Sequence, residues 1–403
     1  MKKDITKLLG LEGVIVYKVK VEEKTMLVYI RSPRNQTRCP HCSIPSKKTH
    51  QRKERRVAHG IIGGRKIILV IRKRRFKCRQ CQRPFSEPNI PGITRSRYSQ
   101  KFQEQVIKDL VSSSFKDVAV RYQVSAPTLV RFLAKRKPDI GWPNGNIVLN
   151  IDEHSYSGHD LKITVGDSAS RRLIAVLNDD RQHTLRKFIR NAPEQVKSRI
   201  SEACIDMKHG YLSVLEEELP NARIAVDHFH VIKELGRQLD EIRRIIQEVG
   251  PKGYRRIPRL LLLKNAERLT GAEQLRLRFI FEQYRMFPAL RHCYWIKEQV
   301  RAVYRSANYA IAEKKLNTLI NMLADERVGK LKEVREMLKR WRPYILNYFH
   351  NRTTNAFIEG VHNKIKLTKR LSFGFRNFRN YVLKVTLALL PFAFLPGIYH
   401  TKV

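Results

Sequence analysis

Four acidic residues have neighbours that could turn them toward a shared metal ion. They are Asp152 in NIVLNIDEH, Asp206 in EACIDMKHGY, Asp227 in ARIAVDHFHV and Glu359 in TTNAFIEGVHNKIK. Each aspartate directly follows a short strand-like run: Ile147–Ile151, Ala203–Ile205 and Arg223–Val226. In a sheet with parallel strands, ligands collect beyond the carboxyl ends. Glu359 belongs to a helical pattern whose polar stripe runs Asn355, Glu359, His362/Asn363 and Lys366. Three carboxylates and a fourth on a nearby helix fit two Mg²⁺ or Mn²⁺ ions, since oxygen ligands select hard cations. Such a pair activates a water or a 3′-hydroxyl and stabilises the leaving oxygen of a phosphodiester. Seen alone, each aspartate reads equally well as a turn or helix cap, and the stripe as a solvated face. Their coincidence in one chain favours the metal site.

The surrounding chain suits a polyanion. Its 403 residues include 80 Lys and Arg against 37 Asp and Glu, a formal net charge of +43. Charge of that size predicts nucleic-acid affinity through phosphate neutralisation and counterion release. It is concentrated: Arg31 to Arg83 holds eighteen Lys or Arg and one acid, Glu54, and the chain after Glu359 holds eight and no acid. No amphipathic membrane anchor stands out. The N-terminal MKKDITKLLGLEG lacks the apolar core of a secretory leader. The most apolar stretch, Tyr381–Tyr399, is interrupted by Lys384, Pro391 and Pro396 and reads as a buried helix plus a tail. A cytoplasmic protein without a membrane partner is expected.

Two further modules are legible. Cys39-Pro-His-Cys42 and Cys78-Arg-Gln-Cys81 are paired CxxC knuckles, which present four thiolates to one structural Zn²⁺. Cys204 and Cys293 read as core residues. Residues 101–136 carry a helix-turn-helix pattern: Lys101–Val111, Phe115–Tyr122, a turn at Gln123-Val124-Ser125, and Ala126–Lys135 as recognition helix with Ser125 as its cap. Thr128, Arg131 and Lys135 form its expected exposed, DNA-facing side.

The elements that carry these residues follow from periodicity. Residues 14–30 alternate as two strands around Glu22-Glu23-Lys24, and Lys66–Ile71 is a strand-like run between the knuckles. Lys137-Pro138 and GWPNGN at 141–146 form a linker. Then come the apolar runs Ile147–Ile151, Leu161–Val165, Leu173–Leu177, Ala203–Ile205 and Arg223–Val226, the last two separated by the helical stretch His209–Leu219. That order implies a parallel crossover. From about His228 to His350 only helical signals appear. Residues 353–390 form two more helices around Ser372-Phe373-Gly374.

Taken together, CPHC, CRQC, the helix-turn-helix, IDEHS at 151–155, IDMKHGY at 205–211, DHFHV at 227–231, RTTNAFIEGVHNKIKLTKR and GFRNF resemble the ISL-three family of bacterial insertion-sequence transposases over essentially the whole chain. The resemblance implies a multidomain α+β protein, a DDE transposase. An N-terminal zinc ribbon and helix-turn-helix would precede an RNase H-like α/β core interrupted by an all-α insertion. The chain then divides into an N-terminal β region (1–37), a zinc-binding domain (38–92), a helix-turn-helix domain (93–140), the opening segment of the core (141–233), a helical insertion (234–350) and the closing segment of the core with C-terminal helices (351–403). The resemblance implies Asp152, Asp206 and Glu359 as the catalytic metal-binding triad. Asp227 is the alternative to Asp206, and Glu153 the alternative to Asp152. Asp227-His228-Phe229-His230 is similar to the D-x-x-H signature of related transposases, giving His230 a role in orienting the scissile phosphate or stabilising the core. Lys364, Lys366, Lys369, Arg370, Arg376 and Arg379 are candidate DNA-backbone clamps. The implied partners are double-stranded DNA, as terminal inverted repeats and target, and a second copy of the chain. Two other readings stay open on sequence alone: a DNA-binding regulator without catalysis, and a metal-dependent nuclease that cuts without joining.

Overall fold

The computed structural model describes residues 2–11, 13–135, 140–323 and 329–389. These form two compact units, one from the chain before Ile140 together with the chain from Lys364 onward, the other from Ile140–Asn363. Lys137-Pro138 and the apolar tail beyond Leu389 lie outside the described residues.

In the first unit, α1 (Lys2–Leu9) precedes the antiparallel pair β1 (Ile15–Val21) and β2 (Thr25–Arg31), as the alternation predicts. Next come β3 (Thr37–Arg38), β4 (Pro45–Ser46), β5 (Thr49–Ile62), β6 (Arg65–Lys77) and β7 (Pro84–Ser86). The main sheet has the order β1-β2-β6-β5, with β7 on β6. The run Lys66–Ile71 marks only the apolar half of β6. β5 is missed altogether, because its first eight residues, THQRKERR, carry no apolar alternation. Two things make it a strand. Gly63 and Gly64 both adopt positive φ, +54° and +72°, as a tight two-residue hairpin turn requires. The apolar ends of the hairpin, Val57, Ile67 and Leu69, bury against Val28 and Ile30.

The helix-turn-helix follows as α2 (Gln100–Ser112), α3 (Phe115–Tyr122) and α4 (Ala126–Lys135), close to the expected bounds. Ser99 Oγ caps α2 by accepting from the Phe102 amide at 3.2 Å, and Ser114 Oγ caps α3 through Asp117 at 3.1 Å. Gln123, left-handed at φ 49°, ends α3. Phe102, Val106, Leu110, Val118, Leu129 and Phe132 share one core. The C-terminal helix Phe378–Leu389 adds Leu387 to it, and the buried Lys384 Nζ donates to the Ser113 carbonyl at 2.7 Å.

The second unit opens with three successive antiparallel strands, β8 (Ile147–Ser157), β9 (Asp160–Asp167) and β10 (Arg172–Val176). Then come α5 (Gln182–Arg190), α6 (Glu194–Lys197), β11 (Ile200–Ile205), α7 (His209–Glu218) and β12 (Arg223–Val226). The sheet order is β10-β9-β8-β11-β12, with β11 parallel to both neighbours. Six helices follow: α8 (His228–Val249), α9 (Arg259–Leu263), α10 (Gly271–Gln283), α11 (Pro288–Tyr304), α12 (Tyr309–Met322) and α13 (Gly329–Asn351). α8 buries Val231, Leu235, Leu239, Ile242 and Ile246, spaced three or four apart. α13 packs on β12 and α11 on α8. α14 (Ala356–Leu371) comes next. No described helix is long and apolar enough to cross a membrane.

Candidate active site

Register alone brings the aspartates together. Ile151 of β8 pairs with Ile205 of β11, which pairs with Val226 of β12. The next residue on each strand path is therefore Asp152, Asp206 or Asp227, side by side across three adjacent strands. The Asp227 amide continues the ladder by donating to the Ile205 carbonyl at 2.9 Å. One expectation is corrected here. Asp152 does not end its strand: β8 continues to Ser157, because pairing with β9 persists from Asp152↔Thr164 to Ser157↔Asp160. Asp152 instead marks the point where β8 loses its parallel partner.

Strand alternation separates Asp152 from Glu153. Glu153 accepts from Lys208 Nζ and the Tyr211 hydroxyl of α7. Asp152 lies with Asp206 and His230, and one ligand atom from each sits within 4.8 Å of the others. Asp227 is a helix cap: its Oδ1 accepts from the Phe229 amide at 3.3 Å as α8 begins. That cap aims His230, three residues on, back at the cluster. His230 Nδ1 stands 2.5 Å from Asp206 Oδ1 and 3.7 Å from Asp227 Oδ2. Neither His230 Nδ1 nor Asp206 Oδ1 has a hydrogen bond of good geometry among the described residues, although both atoms are buried.

The electrostatics follow from this crowding. Burial, and then the neighbouring Asp206 charge, push the Asp152 carboxyl up to about 7. Burial, the largest single influence, would lower His230, but the surrounding carboxylates, Asp206 foremost with Asp152 and Asp227, together raise the ring above its ordinary value. A carboxyl pushed up by burial and a neighbouring carboxylate, beside buried polar atoms left without hydrogen bonds, fits a divalent cation.

Glu359 is not part of this cluster. It is exposed on the first turn of α14. Its helix is nonetheless pinned beside Asp152. Asn355 Nδ2 donates to the Ile151 carbonyl at 3.2 Å, and Asn150 Nδ2 donates to the Thr354 carbonyl at 2.8 Å. Two turns later His362 Nδ1 lies 3.4 Å from Asp152 Oδ2, with its Nε2 3.0 Å from Thr164 Oγ1. Asn355, Glu359 and His362 share one helix face, so Glu359 sits between two residues that touch β8. Gly166 on β9 makes this approach feasible: a Cβ there would come within 2.6 Å of Ile358 Cδ1 and 2.9 Å of Phe357 Cε1. The polar stripe contained Asn355 and His362, but spacing carries no sign of which strand they meet. Gly166 carried no signal.

The knuckles also converge. Cys39 Sγ lies 3.7 Å from Cys81 Sγ, and Cys42 Sγ lies 3.4 Å from Cys78 Sγ. Tetrahedral zinc with bonds of about 2.3 Å has sulfur–sulfur edges of about 3.8 Å. All six cysteines are free thiols. The Cys81 backbone amide, above all, holds the Cys78 thiol down at about 6, near the thiolate form that zinc needs. Ser43 and Gln82, each just after the second cysteine of its knuckle, share a left-handed φ of 59° and 56°. Cys204 and Cys293 are buried, as expected.

On α4, Arg131 and Lys135 are exposed. Thr128 is not: it is 4% exposed, with its hydroxyl 3.0 Å from Ser125 Oγ and 2.9 Å from Arg131 Nη2. The expected recognition face therefore loses Thr128, which instead closes the turn. Lys364, Lys366, Arg370, Arg376 and Arg379 are exposed, and Lys369 is half-buried.

Comparison with known proteins agrees with this layout. Residues 149–385, well over half of the chain, match the model of the ISL3 DDE transposases, described as a transposase. Residues 35–81 match the zinc-finger of transposase IS204/IS1001/IS1096/IS1165. The transposase for insertion sequence element IS1001 of Bordetella parapertussis is 23% identical over 393 residues, covering 94% of this chain and 96% of that protein. The transposase for insertion sequence element IS1557 of Mycobacterium tuberculosis is 27% identical over 256 residues, 57% of each chain. The chain belongs to the ISL3 family of transposases, with that family's zinc-finger in its N-terminal region.

Proposed function

We propose that this transposase binds the terminal inverted repeats of its own insertion sequence, cuts the DNA there and joins the freed 3′ ends to target DNA. The observation that carries this reading is the adjacency of Asp152 and Asp206 across β8 and β11, with unsatisfied buried atoms between Asp206 and His230. Three antiparallel strands followed by helix, parallel strand, helix and parallel strand suit an RNase H-like core. In this reading α8–α13 are its helical insertion. Asp152, Asp206 and Glu359 would hold Mg²⁺ or Mn²⁺, with Asp227 behind them as cap and support. When bound, the ions would neutralise phosphate charge and lower the pKa of the attacking hydroxyl.

The remaining work falls to the chain's own groups. His230, held beside Asp206, would donate a hydrogen bond to a non-bridging phosphate oxygen. His362 fixes the Asp152 carboxylate from behind. The exposed position of Glu359 lets it meet DNA and cation together. No covalent enzyme intermediate is needed, since phosphoryl transfer of this kind runs on positioning and charge neutralisation. The zinc knuckles, Arg131 and Lys135 of α4, and the basic residues from Lys364 to Arg379 supply DNA contacts. The test is Asp206→Asn: end binding persists and cleavage is abolished. Retained cleavage would sink the assignment.

A further inference from the structure

α8, α9, α11 and α13 enclose a pocket of about 570 Å³. It begins within the Asp227–His230 segment, since His228 and Phe229 both line it. One side of its lining is aromatic. The His228 ring lies 5.7 Å from Tyr304 and 5.6 Å from Tyr348, and the two tyrosines stand edge to face at 5.3 Å. Phe229 is 54% exposed, a large apolar ring in contact with the His230 ring at 5.5 Å. The Tyr304 hydroxyl is buried and makes no hydrogen bond among the described residues.

Another part of the lining is cationic. Lys297 and Arg301 are already engaged: Lys297 Nζ donates to the Leu262 and Lys264 carbonyls at 2.7 and 3.0 Å, and Arg301 pairs with Glu267 and Glu298. Lys233 has no acidic partner among the described residues. Arg259 and Arg305 are more than half exposed, at 3.2 Å from Asp240 and 3.7 Å from Glu267. No described acid lines the pocket. Aromatic faces, a lining that holds cations and no acid, an unsatisfied buried hydroxyl and room for a flat ring describe a ligand that is both planar and anionic. That ligand is a nucleotide.

We propose that this pocket receives one nucleotide extruded from the DNA strand beside the phosphate held at the aspartate cluster. Its base stacks on Phe229 and the Tyr304–Tyr348 wall, and its phosphate lies against Lys233, Arg259 and Arg305. This rests on reading Asp152 and Asp206 as the strand-cutting centre, because only then does the pocket lie beside a held phosphate.

The test is binding of a labelled duplex carrying the element's own end, in magnesium-free buffer. Abasic sites are placed one at a time across the junction. Stacking of one base predicts that Phe229→Ala weakens binding about 5- to 150-fold and that Phe229→Trp restores it. At one position an abasic site gives the same loss in the wild type and no further loss in Phe229→Ala. 5-Iododeoxyuridine at that position crosslinks to Phe229, Tyr304 or Tyr348 under ultraviolet light. Independent, additive losses at every position would overturn the proposal. So would protection of the pocket by free deoxynucleoside monophosphate without any abasic coupling. Failure of the underlying reading looks different: Asp206→Asn would still cleave while the coupling persisted, and the cutting centre would be misassigned with the pocket intact.

Discussion

Asp152→Asn is expected to make the magnesium-free protein more stable while destroying its chemistry. The Asp152 carboxyl rises from 3.8 to about 7 in the fold. Between those values the folded state holds a proton that the unfolded chain has released. Stability therefore falls as pH rises through that window, and the full cost is present above about pH 7. A gap of about three units at about 1.4 kcal/mol each amounts to about 4 kcal/mol. Asparagine removes the cost, and its Oδ1 still accepts from the Glu153 amide, as Asp152 Oδ1 does at 2.6 Å. Allowing for relaxation around Asp206 and His230, a gain of about 2–4 kcal/mol at pH 8 corresponds to a rise of roughly 5–15 °C in the second unit's midpoint. Thermal unfolding should be followed at pH 8 and pH 4, without a chelator strong enough to strip the cysteine site. The gain should vanish at pH 4. Added Mg²⁺ should raise the midpoint of the wild type and leave Asp152→Asn unchanged. A variant no more stable than wild type at pH 8, or equally stabilised at both pH values, would refute the argument that burial and the neighbouring Asp206 charge penalise an ionised Asp152.

Other outcomes follow from the same geometry. Gly166→Ala drives a methyl into Ile358 and Phe357; it should cost about 1–3 kcal/mol and slow cleavage while end binding, measured by gel shift, holds. Cys39→Ser with Cys42→Ser should release zinc, read by elemental analysis, and weaken DNA binding; unchanged metal content would contradict the zinc site. Thr128→Ala should lower stability with little effect on DNA affinity, whereas Arg131→Ala should do the reverse, because the first is buried and the second exposed. Replacing Lys366 and Arg370 by alanine should flatten the salt dependence of binding by about 0.9 log units per log unit of salt for each phosphate no longer neutralised.

Much of the site was legible because the segments that carry it are short apolar runs, each closed by an aspartate. The apolar runs Ile147–Ile151, Ala203–Ile205 and Arg223–Val226 are each followed by an aspartate, although β8 itself runs on to Ser157, and parallel register makes those aspartates neighbours. The cysteine pairs and the bounds of α3 and α4 followed from spacing and capping for similar reasons. What escaped depends on which partner a residue meets, which periodicity does not report. β5 is a strand because β6 pairs with it, despite its run of charges. Thr128 is polar and at a plausible surface phase, yet a hydroxyl pairing with Ser125 closes the turn over it. The approach of His362 to Asp152 spans more than two hundred residues, and no local pattern encodes it.

The most direct test of the central claim concerns Glu359, which lies outside the Asp152–Asp206–His230 cluster. Labelled DNA carrying the element's own ends should be incubated with Mg²⁺ and either wild type or Glu359→Gln, and both cut and joined products measured. Cutting and joining by the wild type alone is the predicted result. Equal cutting by Glu359→Gln, or tight end binding without chemistry in either protein, would contradict a catalytic centre built from β8, β11 and α14.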